Sequence, residues 1–312
     1  MKVAVYGAGG VGAYFGGRLS EAGVDVSFVA RGEHLRAIQQ QGLRVDSING
    51  DFLVKPKIAT ADPAEIGPVD LVLVCVKGWQ VTEAAQAMQP LIAENSLVLP
   101  LLNGVDAVEI LSAQFGREKV LNGLCGIFAK MLGPGHITHL GAAPWLQFGE
   151  QDNAVTERSK RVLALLQRTA GFDTKLVENI TTAVWRKFIF IASTSGVGSV
   201  TRAPFGAVRA NPATAKFLKA VIAEIIGVAA ALEVELPQDI EQLVWQQIEK
   251  SGHNSDTSMQ RDVLAGRPSE LDSQTGAVLR LAERAGVATP LNQMIYASLL
   301  PQEQAARAAV DC

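Results

Sequence analysis

The feature that most constrains this chain is a glycine pattern set between a strand and a helix. Lys2-Val3-Ala4-Val5-Tyr6 is a short β-branched run, followed at once by Gly7-Ala8-Gly9-Gly10-Val11-Gly12 and then by residues with helical spacing. A GxGxxG in that context reads as the opening of a dinucleotide-binding α/β unit. Gly7 would make the tight turn, Gly9 would let backbone N–H groups approach a pyrophosphate, and Gly12 would let the helix pack closely on the strand. The helix N-terminus adds partial positive charge there. Gly7, Ala8, Gly9, Gly10, Val11 and Gly12 are therefore the candidate nucleotide-binding turn. A glycine-rich turn without a ligand is the plainer alternative, and the flanking pattern argues against it.

The strand–helix alternation recurs along the first half of the chain. Short apolar runs at Lys2 to Tyr6, Val24 to Val29, Leu71 to Val76, Leu97 to Pro100, Val120 to Gly123 and Asp173 to Val177 alternate with helical patterns. That alternation predicts a mostly parallel sheet covered by helices, and runs that are apolar at successive residues suit strands buried on both faces. Turn signals at Ile48-Asn49-Gly50-Asp51 and Gly133-Pro134-Gly135 predict two hairpin-like insertions, read as local elaborations of that sheet.

From Asn179 onward the character changes. Ala213 to Leu232, Gln238 to Lys250 and Glu270 to Ala285 have helical spacing with no convincing strand run, and Pro204, Pro212, Pro237, Pro268 and Pro290 fall between or at the ends of such segments. The expected fold class is α/β, with a Rossmann-type dinucleotide-binding domain at residues 1–178 followed by an all-helical domain at residues 179–312. A length of 312 residues suits two domains, and without a long linker the halves are expected to meet in a close interface with a cleft.

Composition narrows the function classes. With 28 Lys+Arg against 31 Asp+Glu the formal net charge is −3, which disfavours a generic nucleic-acid binder. Hydrophobic residues at 48% make the chain too apolar for disorder. The apolar stretch Ala220 to Leu232 contains Glu224 and falls short of a membrane span, and the N-terminus runs straight into a strand, so a soluble cytoplasmic protein is expected. Cys75, Cys125 and Cys312 are odd in number and far apart, which argues against disulfides or zinc, and Cys75 and Cys125 are read as small buried hydrophobes. His34, His136, His139 and His253 show no metal-ligand spacing. The composition does not decide the oligomeric state and is compatible with a homodimer.

Several residues carry candidate chemistry. Arg31 ends the second strand, where an acid would accept the ribose hydroxyls of NAD; a guanidinium can instead pair with the 2′-phosphate of NADP and stack on adenine, so NADP(H) is expected. Glu33 lies close enough to complicate that reading. The missing acid also weakens an S-adenosylmethionine methyltransferase reading. Lys77 and Asn103 follow successive strand runs, where carboxyl ends open onto ligand. Lys187, Ile191 and Ser195 are spaced by four and share a helix face, and a lysine in so apolar a segment needs a partner or a route to solvent. Ser269 can cap the helix that follows, which by itself accounts for Glu270 and Asp272 in its first turn.

Taken in order, Gly7 to Gly12, Arg31, Val76-Lys77 with Trp79-Gln80, Asn103-Gly104, Trp185-Arg186-Lys187 and Ser258-Met259-Gln260-Arg261-Asp262 through Glu270 resemble the ketopantoate reductase (2-dehydropantoate 2-reductase) family over essentially the whole chain. The resemblance implies NADPH-dependent reduction of a small 2-oxo acid in a site between a Rossmann domain and a helical domain, in pantothenate and coenzyme A synthesis. It makes Lys187 the general acid and Glu270 the acid that helps hold lysine and substrate. By the same resemblance Lys77 and Asn103 contact the nicotinamide end and the substrate, and Ser258 binds the substrate carboxylate. The chain departs from the family pattern at Ile191, Ser195 and Phe205, where well-studied members carry asparagines. Fewer amides suit a more apolar 2-oxo acid, although Ser195 and its neighbours offer hydroxyls that could rebuild a substrate site. A non-catalytic NADP(H)-binding sensor is a third reading, disfavoured by the presence of both Lys187 and Glu270.

Overall fold

The computed structural model describes residues 1–311; Cys312, one of the three cysteines, lies outside them. By internal contacts the chain forms two compact units. One comprises Met1–Leu102 and Ala107–Ile180, the other Asn103–Asp106 and the chain from Thr181 onward.

The first unit holds ten strands: β1 (Lys2–Tyr6), β2 (Asp25–Val29), β3 (Leu43–Ser47), β4 (Phe52–Val54), β5 (Ala59–Thr60), β6 (Leu71–Val74), β7 (Leu97–Pro100), β8 (Asn122–Gly133), β9 (His136–Gly149) and β10 (Asp173–Leu176). Its helices are α1 (Gly10–Glu21), α2 (Gly32–Gln41), α3 (Val81–Ala87), α4 (Ala107–Phe115) and α5 (Glu157–Gln167). The primary sheet runs β5-β2-β1-β6-β7, entirely parallel, with Val3 opposite both Val26 and Leu71. β6 and β7 are buried at every residue, as the unbroken apolar runs require. In β1, Val3 and Val5 enter a core with Phe15 of α1 and Phe28, while Ala4 and Tyr6 enter a second core with Val81 of α3 and Leu111 of α4. Chain order reverses between β1 and β6, so the carboxyl ends of these two strands form the switch point where α/β sheets bind ligands.

One expectation is corrected here. The predicted hairpins are not separate decorations: β3–β4 and the long β8–β9 ribbon join with β10 in a second five-stranded sheet, in which β3 runs parallel to β9 from Arg44↔His136 to Ser47↔His139. The run at residues 120–123 likewise contributes only a bridge from Val120 to Val98, and the rest belongs to β8. Asp173 to Leu176 extends this second sheet, pairing with β9. Turn chemistry specifies each hairpin locally, but which outside strand completes a hairpin's hydrogen bonding is a long-range choice.

The second unit is helical: α6 (Ile180–Thr201), α7 (Phe205–Ala210), α8 (Pro212–Ala231), α9 (Ile240–Lys250), α10 (Ser258–Leu264), α11 (Ala277–Ala285) and α12 (Pro290–Asp311). Pro212 and Pro290 open their helices, where the missing N–H costs nothing. Phe188 and Ile189 of α6, Val221 and Ile225 of α8, Val244 and Ile248 of α9, and Val278 of α11 make one fully buried core. Among the described residues no helix is long and apolar enough to cross a membrane.

Candidate active site

The glycine turn has the backbone its sequence predicts. Gly7 adopts φ +99°, a conformation that disfavours any residue with a Cβ. A Cβ at Gly12 would lie 2.0 Å from the Gly7 carbonyl oxygen and 2.8 Å from Val5, so only glycine lets α1 sit this close to β1. At Gly9, by contrast, a Cβ would have open space around it. Gly9 is the N-cap of α1, whose first turn carries no acid that would oppose an incoming anion. A positive-φ turn, an open glycine and a helix N-terminus at the switch point together fit the pyrophosphate of a dinucleotide.

Arg31 is the N-cap of α2, exposed, with its guanidinium 2.7 Å from Glu83 of α3. The nearer acid, Glu33, pairs instead with Arg36 at 2.9 Å. The Tyr6 phenol also meets Arg31; burial raises its pKa and the arginine opposes that rise. Lys77 follows β6 beside the glycine turn, since the Cys75 N–H donates to the Tyr6 carbonyl at 2.8 Å. Its backbone N–H donates to Oε1 of Gln80 at 3.2 Å, and its ammonium lies 5.8 Å from the Trp79 ring centroid. Cys125 is buried with its thiol 3.3 Å from the Leu101 carbonyl, and burial pushes the Cys75 thiol well up.

In the helical unit, Glu270 is 3% exposed. Its Oε2 accepts from the Asn103 amide at 3.3 Å and from the Gln274 amide at 3.4 Å. Asn103 is available because residues 103–106 pack on this unit. Gly104 adopts φ +105°, a Cβ there would lie 2.9 Å from the Ser273 carbonyl oxygen, and Asp106 pairs with Arg280 at 2.7 Å. Gln274 lies in a π-helical turn, Asp272–Gly276, that leads into α11; such bulges recur at functional sites. Ser269 accepts from the Leu271 N–H at 3.2 Å, the expected cap, and its own N–H donates to Glu303 at 3.0 Å. The acids after it take different environments: Glu270 points inward, while Asp272 pairs with Arg280.

Lys187 is half-buried on α6, and Ser195, two turns on, is fully buried. Neighbouring hydroxyls on that helix satisfy themselves: Ser193 donates to the Ile189 carbonyl at 2.7 Å and Thr194 to the Phe190 carbonyl at 2.6 Å. The buried Ser195 and Ser199 hydroxyls, Thr275 Oγ1 and Gln274 Oε1 have no such partner. A buried polar atom left unbonded calls for an explanation, and a ligand is one. Ser258 opens α10 half-buried; the capping is done by Thr257, whose Oγ1 accepts from the Gln260 N–H at 3.1 Å. Phe205 is buried edge-to-face on Phe190, ring centroids 6.0 Å apart. Sequence reasoning missed Gln274; a glutamine four residues after Glu270 is the available signal, since i and i+4 share a helix face.

Residues 3–153 match the model of the family described as Ketopantoate reductase PanE/ApbA, and residues 179–303 match its C-terminal model. The chain belongs to the ketopantoate reductase family. Members are dinucleotide-dependent oxidoreductases, and the chain is an oxidoreductase of this family. It is 32% identical over 301 residues to an uncharacterized oxidoreductase, YkpB, of Bacillus subtilis (strain 168), covering 96% of this chain and 98% of that one. It is 27% identical to a 2-dehydropantoate 2-reductase of Nostoc sp. (strain PCC 7120), covering 96% and 94%. In structure it resembles a PanE/ApbA family ketopantoate reductase from Ralstonia eutropha JMP134, with a TM-score of 0.90, 31% identity, and coverage of 98% of this chain and 100% of that one.

Proposed function

We propose that the protein reduces a small 2-oxo acid, 2-dehydropantoate in the first instance, to the corresponding 2-hydroxy acid, with NADPH as hydride donor. The carrying observation is the Glu270 carboxylate, buried in the helical unit and gripped by the amides of Asn103 and Gln274. A buried carboxylate costs free energy unless it is bonded, and a structure that supplies two amide donors to keep one in place has a use for its charge.

A nicotinamide dinucleotide held on the glycine turn would supply the hydride that reduces C2 of the substrate. The chain's residues do the rest. The Gly7–Gly12 turn holds the pyrophosphate through backbone N–H groups, and Arg31 pairs with the 2′-phosphate, which prefers NADPH over NADH. Lys77 and Asn103 contact the nicotinamide end and the substrate, and Ser258 and Ser195 bind its polar groups. The Lys187 ammonium meets the carbonyl oxygen, neutralises the charge that develops there and gives up its proton, so the product leaves as an alcohol. Glu270 supplies the negative charge that, in this reading, helps hold the Lys187 ammonium and the substrate in place. Release of pantoate would place the enzyme in pantothenate and coenzyme A synthesis, in the cytoplasm.

A second reading keeps the chemistry and changes the acid. Phe205 is buried against Phe190, and Ile191 replaces an amide one turn after Lys187, so part of the expected substrate wall is apolar. The deciding experiment follows NADPH oxidation with ketopantoate and a panel of more apolar 2-oxo acids, in the wild type and in Lys187→Ala. Ketopantoate turnover that collapses in the variant supports the first reading. Turnover with the other acids alone supports the second, and nucleotide binding without any turnover would leave a sensor.

A further inference from the structure

His34 takes no part in this reaction, yet its ring is bonded on both sides to backbone. Its Nδ1 accepts from the Gly135 N–H at 2.9 Å, which requires a lone pair on that nitrogen. The proton of the neutral ring is therefore on Nε2, which lies 2.8 Å from the Ala8 carbonyl oxygen and donates to it. Ala8 is the second residue of the glycine turn, and Gly135 closes the β8–β9 ribbon.

The tie has a directional consequence. The peptide joining Ala8 to Gly9 is trans, so its carbonyl and its N–H point opposite ways. Holding the Ala8 carbonyl on His34 thus aims the Gly9 N–H away from His34, at the N-cap of α1. The ribbon that anchors the ring is itself well seated. The Gly135 carbonyl accepts from the Arg44 N–H at 2.9 Å, a Cβ on Gly135 would lie 2.9 Å from Ala37 of α2, and a Cβ on Gly10 would lie 3.0 Å from the Ala129 carbonyl oxygen of β8. The second sheet therefore backs the turn at Gly10 directly and at Ala8 through the imidazole.

We propose that His34 is a positioning residue for the dinucleotide: its neutral ring, protonated on Nε2, locks the Ala8–Gly9 peptide so that the turn presents its amide to the pyrophosphate without having to reorganise. This rests on the glycine turn being the nucleotide site and is independent of which 2-oxo acid is reduced. Protonation of the ring would set an N–H on Nδ1 against the Gly135 N–H and break the tie from that side. Burial lowers the His34 pKa below the usual 6.5, opposed by the bond to Ala8, so the neutral form prevails at pH 7. Charged groups on the elements around it are committed to other pairs: Arg31 with Glu83, Glu33 with Arg36, and Arg44 and His136 both with Asp46. Lys130 on β8, His139 on β9, which bonds the Ser47 hydroxyl, and the Tyr6 phenol on β1 are further titratable groups on the ribbon and the strand before the turn.

The test is a titration of the full-length protein with NADPH, read by nucleotide fluorescence between pH 5 and 8, for the wild type, His34→Ala and His34→Gln, with thermal melts alongside. Gln can both donate and accept but does not titrate. At pH 7.5 the expected Kd rises about tenfold in His34→Ala, the loss of one or two net hydrogen bonds, and by less in His34→Gln. As pH falls through the His34 pKa, wild-type affinity should drop further than that of His34→Gln; the 2′-phosphate titrates near pH 6 in both and cancels in the comparison. Wild-type Kd in both variants, or a loss whose pH profile is the same in wild type and His34→Gln, would overturn the proposal. A wild type that binds neither NADPH nor NADH would overturn the dinucleotide reading along with it.

Discussion

The Asn103 side chain donates to Glu270 across 167 positions of sequence, at 3.3 Å, and Gln274 donates to the same Oε2 from one turn further along the chain. Two neutral donors on one buried carboxylate oxygen fix its rotamer without neutralising it. Replacing Gln274 by Leu, which keeps the volume and removes the donor, should lower kcat about tenfold. Steady-state kinetics beside a thermal melt check this; an unchanged kcat would remove the positioning role.

Glu270→Gln keeps the shape but removes the negative charge that the proposed mechanism sets against the Lys187 ammonium. The expected fall in kcat is about 100-fold or more, close to that of Lys187→Ala, with the double variant little worse than either single one. Independent, multiplicative losses in the double variant would show that the two residues do not act as a unit.

Arg31→Ala should weaken NADPH by about 10- to 100-fold and NADH by only a few fold, because the 2′-phosphate is the group lost as a partner. Glu83→Gln should do the reverse. The Arg31–Glu83 pair is about two-thirds exposed and contributes little to stability, so its loss leaves the melting temperature nearly unchanged while freeing the guanidinium and tightening NADPH by a few fold. Titrations with both nucleotides decide; equal losses for both in Arg31→Ala would cancel the 2′-phosphate assignment.

Gly12→Ala places a Cβ 2.0 Å from the Gly7 carbonyl, a contact that backbone movement alone can relieve. About 1–3 kcal/mol of stability should be lost, with nucleotide affinity falling in step. Gly9→Ala, whose Cβ meets open space, should leave the melt almost unchanged and reduce nucleotide binding alone. Paired melts and NADPH titrations of the two variants separate packing from ligand contact.

Ile191→Asn restores an amide at a half-buried position one turn from Lys187. The ratio of kcat/KM for ketopantoate to that for an apolar 2-oxo acid should rise about tenfold or more, since a site that hydrogen-bonds a polar group rejects analogues lacking it. An unchanged ratio would place Ile191 outside the substrate wall.

Much of this protein is legible along the chain because the signals are local. A strand, a GxGxxG and a helix start lie within twelve residues, and Gly7 and Gly12 take up the roles their spacing implies. Prolines at helix starts and the buried strands β6 and β7 are equally local. The second sheet was not legible, because hairpin turns say nothing about which strand lies alongside, and β3 finds β9 some 90 residues away. The sequence says of His34 only that it lacks metal-ligand spacing, for the same reason: its meaning comes from Gly135, 101 positions on.

Local periodicity and turn chemistry by themselves determined that the chain opens with a nucleotide-type α/β unit and closes in helices, since φ preferences and hydrophobic spacing act over a few residues. Tertiary structure alone decided that Asn103 joins the helical unit and that Glu270 turns inward rather than serving as a first-turn acid like Asp272. Those outcomes depend on burial and on partners more than a hundred residues away, and a buried charge must find its donors wherever the fold brings them.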